Sequence, residues 1–207
     1  MSEKYSPKPH GAGKSSYDLV DHDKVFRELD LRKGMNVLDL ACGPGDYTMA
    51  MAEIIGAEGA IYAADLWVEA LVRLQKKAEA KNIRNIKTVV GDVSHRLPMD
   101  DETVDLCLVA TVLHDFVREG VAFEALGEAA RVLKPRGTLA VLEFKKINGP
   151  PGPSIDIRLT PAEVERLVAP RGFVKRGISD VGPYNYLIAF RRSEGGTAMG
   201  EPGSSSS

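Results

Sequence analysis

The fold of this chain is decided by the stretch Val37-Leu38-Asp39-Leu40-Ala41-Cys42-Gly43-Pro44-Gly45-Asp46-Tyr47-Thr48. Its apolar beginning is typical of a buried strand, and its Gly-Pro-Gly turn leads into a segment whose Met51, Ile54 and Ile55 have helical spacing. Glycines at this turn leave the backbone open to a ligand, and the amide groups at the start of the helix can face that ligand. The stretch therefore predicts a strand, a binding loop and a helix in succession.

The rest of the chain repeats this alternation of apolar runs and amphipathic segments. Five runs have the character of parallel strands that helices cover on both faces: residues 35–40, 60–64, 86–90, 104–110 and 138–144. Two last strands, residues 173–181 and 184–190, are joined by a Gly-Pro turn with no room for a helix, so we expect them to be antiparallel. The predicted fold is α/β, a three-layer sandwich with a mostly parallel sheet and a hairpin at one edge.

Length and composition indicate one domain, because 207 residues bury a single sizeable core. Both ends of the chain are rich in glycine, proline and serine and show no periodicity. We therefore expect a flexible N-terminal arm over residues 1–18, the domain itself over residues 19–192, and a disordered tail over residues 193–207. The arm precedes the core and is suitably placed to cover a binding pocket.

Charge and hydropathy argue against several classes of protein. The 27 Lys and Arg nearly balance the 29 Asp and Glu, which gives no reason to expect nucleic acid or an acidic membrane surface as partner. The longest apolar run, residues 106–113, is far shorter than the roughly 20 residues that span a bilayer, and the polar first residues lack the apolar core of a secretory signal. Cys42 and Cys107 match neither a disulfide framework nor a metal-ligand pattern. We expect a cytoplasmic protein without a metal, of undecided oligomeric state.

An acid at the end of the second strand strengthens the binding interpretation of the glycine loop. Asp65 lies 20 residues after Gly45, a distance that suits a carboxylate accepting hydrogen bonds from both ribose hydroxyls of a nucleoside. Dinucleotide-dependent oxidoreductases share this arrangement, but Thr48 stands where their loop carries a third glycine, and Asp46 would repel a pyrophosphate. Asp92, after the third strand, suits the amino group of adenine. A sulfonium amino acid tolerates nearby carboxylates, so these residues favour S-adenosylmethionine.

Four motifs, DLACGPG, AAD, GDV and RVLKPRG, resemble in their order and spacing those of class I S-adenosylmethionine-dependent methyltransferases, particularly the small "methyltransferase domain, type 11" group. The resemblance covers about residues 20–192 and implies a seven-stranded sheet of order 3-2-1-4-5-7-6 with strand 7 antiparallel. It also implies an enzyme that moves a methyl group to an acceptor by in-line displacement. The family's usual glycine before Cys42 is Ala41 here, a departure that we expect to matter little.

The resemblance further implies nine cofactor-binding residues. For the methionine and ribose they are Asp39, Gly43, Gly45 and Asp65; for the adenine, Leu66, Trp67, Asp92 and Val93; and near the methionine amine, Ala110.

The acceptor pocket is expected beyond the carboxyl ends of strands 1, 4 and 5. His114, directly after the fourth strand, titrates near neutrality and is the candidate general base, with Tyr47 as the companion that faces the sulfonium and orients the acceptor. A histidine that only caps the strand or lines the pocket is the alternative. Quinone-biosynthesis C-methyltransferases have similar motifs, but the short segment between strands 5 and 6 leaves little lid for a long isoprenoid. The expected acceptor is therefore a small molecule.

Two other functions stay open. A nicotinamide-dependent oxidoreductase uses the same kind of loop, although this chain has no convincing Tyr-x-x-x-Lys pair. A noncatalytic module that binds S-adenosylmethionine or another nucleoside also stays possible, because binding and turnover use the same loop residues.

Overall fold

The computed structural model describes residues 13–193, so the predictions for the arm over residues 1–12 and for the tail over residues 194–207 lie outside the described residues. Seven strands form one sheet in the order β3-β2-β1-β4-β5-β7-β6, and β7 is antiparallel to both of its neighbours. The strands are β1 Asn36–Leu40, β2 Ala60–Asp65, β3 Ile86–Val90, β4 Val104–Ala110, β5 Leu133–Phe144, β6 Phe173–Asp180 and β7 Asn185–Arg192. The predicted strand order and the terminal hairpin are confirmed.

Helices cover both faces of the sheet. They are α1 His22–Leu29, α2 Asp46–Ile55, α3 Val68–Ala80, α4 Leu113–Glu119, α5 Ala122–Val132 and α6 Pro161–Val168, and short 3₁₀ turns lie at Tyr17–Leu19, Ile155–Ile157 and Ala169–Arg171. The first three helices pack their apolar residues on one face of the sheet, and the last three pack theirs on the other. The sandwich therefore has the three layers that the alternating pattern predicts.

The last helix begins at a capping box. The Thr160 hydroxyl oxygen accepts a hydrogen bond from the backbone N–H of Glu163, and the Glu163 carboxylate accepts one from the backbone N–H of Thr160. Pro161 occupies the first turn, where its missing N–H would have no partner in the helix.

Two details differ from the sequence interpretation. Strand β5 begins at Leu133, directly after α5 and before the predicted start at residue 138, because Leu133 pairs with Val104 and a shift of register between Val104 and Leu106 accommodates the residues between. The edge strand β3 is half-exposed rather than covered on both faces, since an edge position receives less cover from the helices. The other edge strand, β6, has six of its eight residues exposed. Across residues 13–193, no helix combines the length and the apolar character that a membrane crossing requires.

The parallel strands β1 to β5 all end at the same edge of the sheet. The loops that follow these strands therefore lie side by side. This edge carries the predicted glycine loop and both predicted acids, Asp65 and Asp92.

Candidate functional site

The two glycines of the first loop serve different purposes. A Cβ atom at Gly43 would meet only the backbone oxygen of Lys14, at 4.0 Å, so the backbone there faces open space. A Cβ atom at Gly45 would lie 2.5 Å from Leu74 Cδ1 of α3, and Gly45 has the left-handed φ of +78° at the start of α2. Gly43 thus leaves room for a ligand, whereas Gly45 allows α2 to begin and to pack against α3.

The residue before Cys42 bears on the stability of this loop. Ala41 has a φ of +59°, in the left-handed region that costs an L-residue with a Cβ atom roughly 1–2 kcal/mol. Alanine at this position therefore carries a backbone cost that glycine would avoid, and Ala41→Gly tests the expectation that the departure matters little. Its side chain lines the cavity beside the loop, so the strain lies at the site itself.

The Asp65 carboxylate connects the end of β2 to the glycine loop. Its Oδ2 accepts a hydrogen bond from Gly43 N–H at 2.8 Å, and its Oδ1 accepts one from Trp67 N–H at 2.8 Å. Burial raises the pKa of Asp65, and these two backbone hydrogen bonds oppose that rise. Each oxygen retains a lone pair for a further donor, and the side chain lines the adjoining cavity.

That cavity has a volume of about 270 Å³ and lies over the ends of β1, β2, β3 and β4. Six of the nine predicted cofactor residues line it, namely Gly43, Asp65, Leu66, Asp92, Val93 and Ala110. The hydroxyl and backbone N–H of Ser94 donate to Asp92 Oδ1 at 2.7 and 2.8 Å, and the hydroxyl bond in particular holds the pKa of Asp92 below its usual range. Asp92 is therefore an ionised acceptor at neutral pH.

The other three predicted residues lie outside this lining. Gly45 packs against α3, and Asp39 lies behind the loop, where its Oδ2 accepts a hydrogen bond from Thr48 Oγ1 at 2.5 Å. Burial raises the pKa of Asp39 to about 7, against the lowering effect of that hydrogen bond. The Trp67 ring lies under the Arg73 guanidinium, with 4.4 Å from the guanidinium carbon to the ring centroid.

A second cavity, of about 660 Å³, lies beside the first, over the ends of β4 and β5. Lys14, Thr111 and Asp115 line both cavities, so the two spaces meet at these residues. Thr111 has a φ of +52°, which is unusual for a β-branched residue and marks a strained backbone at the junction. Two cavities that share a wall suit two reactants whose reacting atoms must meet.

Hydroxyl groups tie the N-terminal segment to this junction. Thr111 Oγ1 donates to Ser16 Oγ at 3.1 Å, and Ser16 Oγ lies 3.1 Å from the Tyr47 hydroxyl. Tyr47 is buried, burial raises the pKa of its phenol, and its side chain lies outside the lining of both cavities. The predicted contact of Tyr47 with an acceptor is thus replaced here by a contact with Ser16.

The predicted base, His114, lines the second cavity and is 4% exposed. Its Nδ1 lies 3.0 and 2.9 Å from the two carboxylate oxygens of Glu143 on β5. Its Nε2 lies 3.5 Å from Asp115 Oδ2, and Asp115 in turn pairs with Arg118 at 2.8 Å. Burial lowers the pKa of His114, but the hydrogen bond and charge of Glu143 outweigh this effect and raise the pKa above 6.5 overall.

Arg158 is a residue of this region that the sequence analysis does not single out. Its side chain is 2% exposed, and its guanidinium donates hydrogen bonds at 2.7–3.2 Å to the carbonyl oxygens of five residues between 145 and 153. Pro151, Gly152 and Pro153 of this loop line the second cavity. The wall of the cavity is therefore held by one buried cation. The only sequence signal is an arginine between two apolar residues.

Comparisons with known proteins agree with this geometry. The model of the ubiE/COQ5 methyltransferase family matches residues 17–152. A demethylmenaquinone methyltransferase of Geobacillus stearothermophilus is 32% identical over 119 residues, which are 58% of this chain and 49% of that protein. A protein of Idiomarina loihiensis, named as the ubiquinone/menaquinone biosynthesis C-methyltransferase UbiE, is 36% identical over 118 residues, 56% of this chain and 45% of that protein. The chain spans about half the length of these relatives.

A solved structure extends the likeness over nearly the whole fold. The crystal structure of an S-adenosylmethionine-dependent methyltransferase from Aquifex aeolicus superimposes with a TM-score of 0.78 at 26% identity, and the match covers 91% of this chain and 94% of that one. The likeness includes the region after residue 152, where the family model ends. On its motifs, its sheet and its family match, the chain belongs to the ubiE/COQ5 methyltransferase family.

Proposed function

We propose that this chain catalyses the transfer of a methyl group from S-adenosylmethionine to a small-molecule acceptor. The observation that carries the proposal is the pair of cavities that meet at Thr111, one bounded by Asp65 and Asp92 and the other by His114. In-line displacement requires the acceptor and the methyl donor to approach along one line, and adjoining cavities provide that approach.

The first cavity suits the cofactor. The open backbone at Gly43 admits a ligand at close range, and the free lone pairs of Asp65 suit the two ribose hydroxyls. Asp92 and the neighbouring Val93 suit the adenine amino group and ring. When bound, S-adenosylmethionine supplies an electrophilic methyl group on a sulfonium that needs no acid to leave. Asp39 and Trp67 support this cavity from behind. Asp39 accepts a hydrogen bond from Thr48, and the Trp67 ring packs against Arg73 of α3.

The second cavity suits a compact acceptor. Its volume of about 660 Å³ is within the usual range for a small-molecule site, and its lining combines Phe144 and Ile157 with the polar groups of Ser16 and His114. A quinone head group is the second candidate, because the relatives' names specify demethylmenaquinone or ubiquinone/menaquinone biosynthesis. Arg158 donates hydrogen bonds to the segment from β5 to α6, which supports a fixed wall on this side of the cavity.

Within this site His114 is the group suited to take a proton from the acceptor. Its ring lines the acceptor cavity, and the hydrogen bond and charge of Glu143 raise its pKa above the ordinary histidine value against the lowering effect of burial, which favours uptake of a proton. Tyr47 acts indirectly, since its hydroxyl fixes Ser16, which forms part of the same wall.

The test is a ligand screen followed by a turnover assay. Calorimetry with S-adenosylmethionine, S-adenosylhomocysteine and NADH should show binding of the two sulfur nucleosides and none of NADH. Incubation with phenols, quinols and other small acceptors should then release S-adenosylhomocysteine. Binding of NADH alone would favour the oxidoreductase, and binding of S-adenosylmethionine without turnover of any acceptor would favour the noncatalytic module.

His114→Ala tests the assigned base. We expect turnover to fall roughly 10²- to 10⁴-fold while the affinity for S-adenosylmethionine stays nearly unchanged, because His114 lies on the acceptor side. Unchanged turnover across the imidazole titration range would leave positioning alone as the mechanism.

A further inference from the structure

The Glu143 carboxylate occupies an unusual place for a charged group. It lies at the end of β5 with 0% exposure, and within residues 13–193 its ion-pair partner is His114 rather than a lysine or arginine. Its Oε1 accepts a hydrogen bond from the backbone N–H of His114 at 3.1 Å, and its Oε2 accepts one from the backbone N–H of Phe144 at 3.1 Å. Burial of a carboxylate costs several kcal/mol unless the protein compensates it. Here the compensation comes from two backbone amides and one imidazole.

The same contacts determine which nitrogen of His114 carries the proton. Both Glu143 oxygens lie within 3.0 Å of Nδ1, and an ionised carboxylate only accepts hydrogen bonds. The neutral ring therefore carries its proton on Nδ1, since the competing contact of Nε2 with Asp115 Oδ2 is longer, at 3.5 Å. The lone pair of that ring is on Nε2, at the edge of the imidazole away from β5.

We propose that Glu143 is a positioning residue that holds His114 in the Nδ1–H tautomer, so that Nε2 is the atom that takes a proton from the acceptor. The proposal rests on the methyl transfer proposed above and deepens it. Glu143 itself is 0% exposed and lies outside the lining of both cavities, so it is placed to act through His114 rather than on a reactant.

The proton balance of the step identifies the class of acceptor. The nucleophilic atom of the acceptor forms a bond to the methyl carbon, the electron pair of the broken carbon–sulfur bond stays on sulfur, and the proton of the nucleophile passes to Nε2. The resulting imidazolium is stabilised by the adjacent Glu143 carboxylate, as in other catalytic histidine–carboxylate pairs. The acceptor is therefore one whose nucleophilic atom carries a proton, such as a hydroxyl group, an N–H group or an activated C–H group. A tertiary amine or a thioether would make no use of the pair.

Four charged groups lie beside the ring or across its cavity. Glu143 faces it from β5, Asp115 and Arg118 face it from α4, and Lys14 lies across the acceptor cavity. Asp115 raises the pKa of His114 and Arg118 lowers it, but the hydrogen bond and charge of Glu143 are the main influences against burial. Removal of the Glu143 charge leaves the burial in place, so the pKa of His114 should fall.

The first experiment needs no acceptor. In ¹⁵N-edited NMR titrations of the wild-type chain, His114 should show a proton on Nδ1 in its neutral form and a pKa above 6.5. In Glu143→Gln the pKa should fall below the wild-type value. Glu165→Gln, a matched change at an exposed carboxylate that pairs with Lys175, should leave the titration unchanged. A proton on Nε2 in wild type, or an equal pKa in Glu143→Gln and wild type, would overturn the proposal.

The second experiment measures turnover of the acceptor identified in the screen above. Glu143→Gln should lower kcat by at least about tenfold and at most about 10⁴-fold, the loss seen when the aspartate of a serine-protease triad becomes asparagine. KM should change little, and the acidic limb of the pH–rate profile should move to lower pH. The double variant with His114→Ala should be no slower than His114→Ala alone. Additive losses, or an unmoved limb, would overturn the proposal.

Folding of the variant is controlled separately. If Glu143→Gln does not fold, Glu143→Asp is the second variant, because it retains the charge but withdraws the carboxylate by one methylene. The pKa of His114 in Glu143→Asp should lie below the wild-type value, by less than complete loss of the charge would give. A wild-type pKa in Glu143→Asp would count against the pairing. Complete absence of methyl transfer by the wild-type chain would overturn the proposed function, and the NMR titration would still decide whether Glu143 holds the ring.

Discussion

Replacement of Asp65 by alanine should weaken cofactor binding far more than it weakens the fold. In the resting protein the carboxylate accepts two backbone hydrogen bonds, from Gly43 and Trp67, each of 2.8 Å. Their loss leaves two N–H groups without a partner, at about 1 kcal/mol each, because the adjoining cavity gives water access to them. Removal of the buried charge recovers part of this cost, since burial raises the pKa of Asp65. The free energy of unfolding should therefore fall by no more than about 2 kcal/mol.

The effect on affinity should be larger. Two charge-assisted hydrogen bonds to ribose hydroxyls are worth at least roughly 1.5 kcal/mol each, so their joint loss should raise Kd about 100-fold. Isothermal titration calorimetry with S-adenosylmethionine and S-adenosylhomocysteine measures this directly. The ligand 5′-methylthioadenosine, which keeps the ribose and lacks the amino acid, should lose affinity by the same factor. Asp180→Ala, at an exposed carboxylate that pairs with Lys145, is the matched control.

The isosteric variant gives a further check. Asp65→Asn places an amide NH₂ against either Gly43 N–H or Trp67 N–H, because both carboxylate oxygens accept bonds from those donors. It should therefore be at least as destabilised as Asp65→Ala, although it is closer to aspartate in shape. A Kd within threefold of wild type in Asp65→Ala would show that Asp65 is only a turn acid, and the reasoning on the cofactor cavity would be refuted.

Three more predictions follow from strained or buried groups. Ala41→Gly should raise the free energy of unfolding by roughly 0.5–1 kcal/mol, because it relieves a φ of +59°. Ala80→Gly at the end of α3 should lower it. Urea melts in which both variants change the free energy of unfolding in the same direction would contradict this. Burial raises the pKa of Asp39 from 3.8 to about 7, so its contribution to stability is present below pH 3.8 and is lost as pH rises to about 7. Asp39→Asn keeps an oxygen for Thr48 Oγ1, so its free energy of unfolding should rise relative to that of wild type between pH 4.5 and roughly 7.5. Curves of unfolding free energy against pH that stay parallel for the two proteins would exclude this account. Arg158→Lys offers three donors where five carbonyl oxygens accept, so amide hydrogen exchange over residues 145–153 should accelerate by at least about tenfold. Unchanged exchange would show that this loop is ordered without the arginine.

The sequence by itself determined the order of the elements and the edge of the sheet at which the proposed cofactor site lies. Apolar runs, helical spacing and the final Gly-Pro turn predict the sheet and its terminal hairpin, because these signals depend on neighbours within a few residues. The carboxyl ends of parallel strands necessarily share one edge, so Asp65 and Asp92 could be assigned to one site without coordinates. For the same reason His114 could be assigned to this edge, where it lines the proposed acceptor cavity.

The tertiary structure alone decided which side chains work together. Glu143 lies 29 residues from His114 and Thr111 lies 95 residues from Ser16, and no local pattern encodes such pairs. The purpose of Gly45, the contact of Tyr47 with Ser16 and the placement of Trp67 beside Arg73 also depend on how helices and loops pack. Periodicity and turn chemistry are properties of short segments, whereas a hydrogen bond between distant residues exists only after the sheet has brought their strand ends together. For this reason the glycine loop could be predicted from the sequence, whereas the pairing of Glu143 with His114 could not.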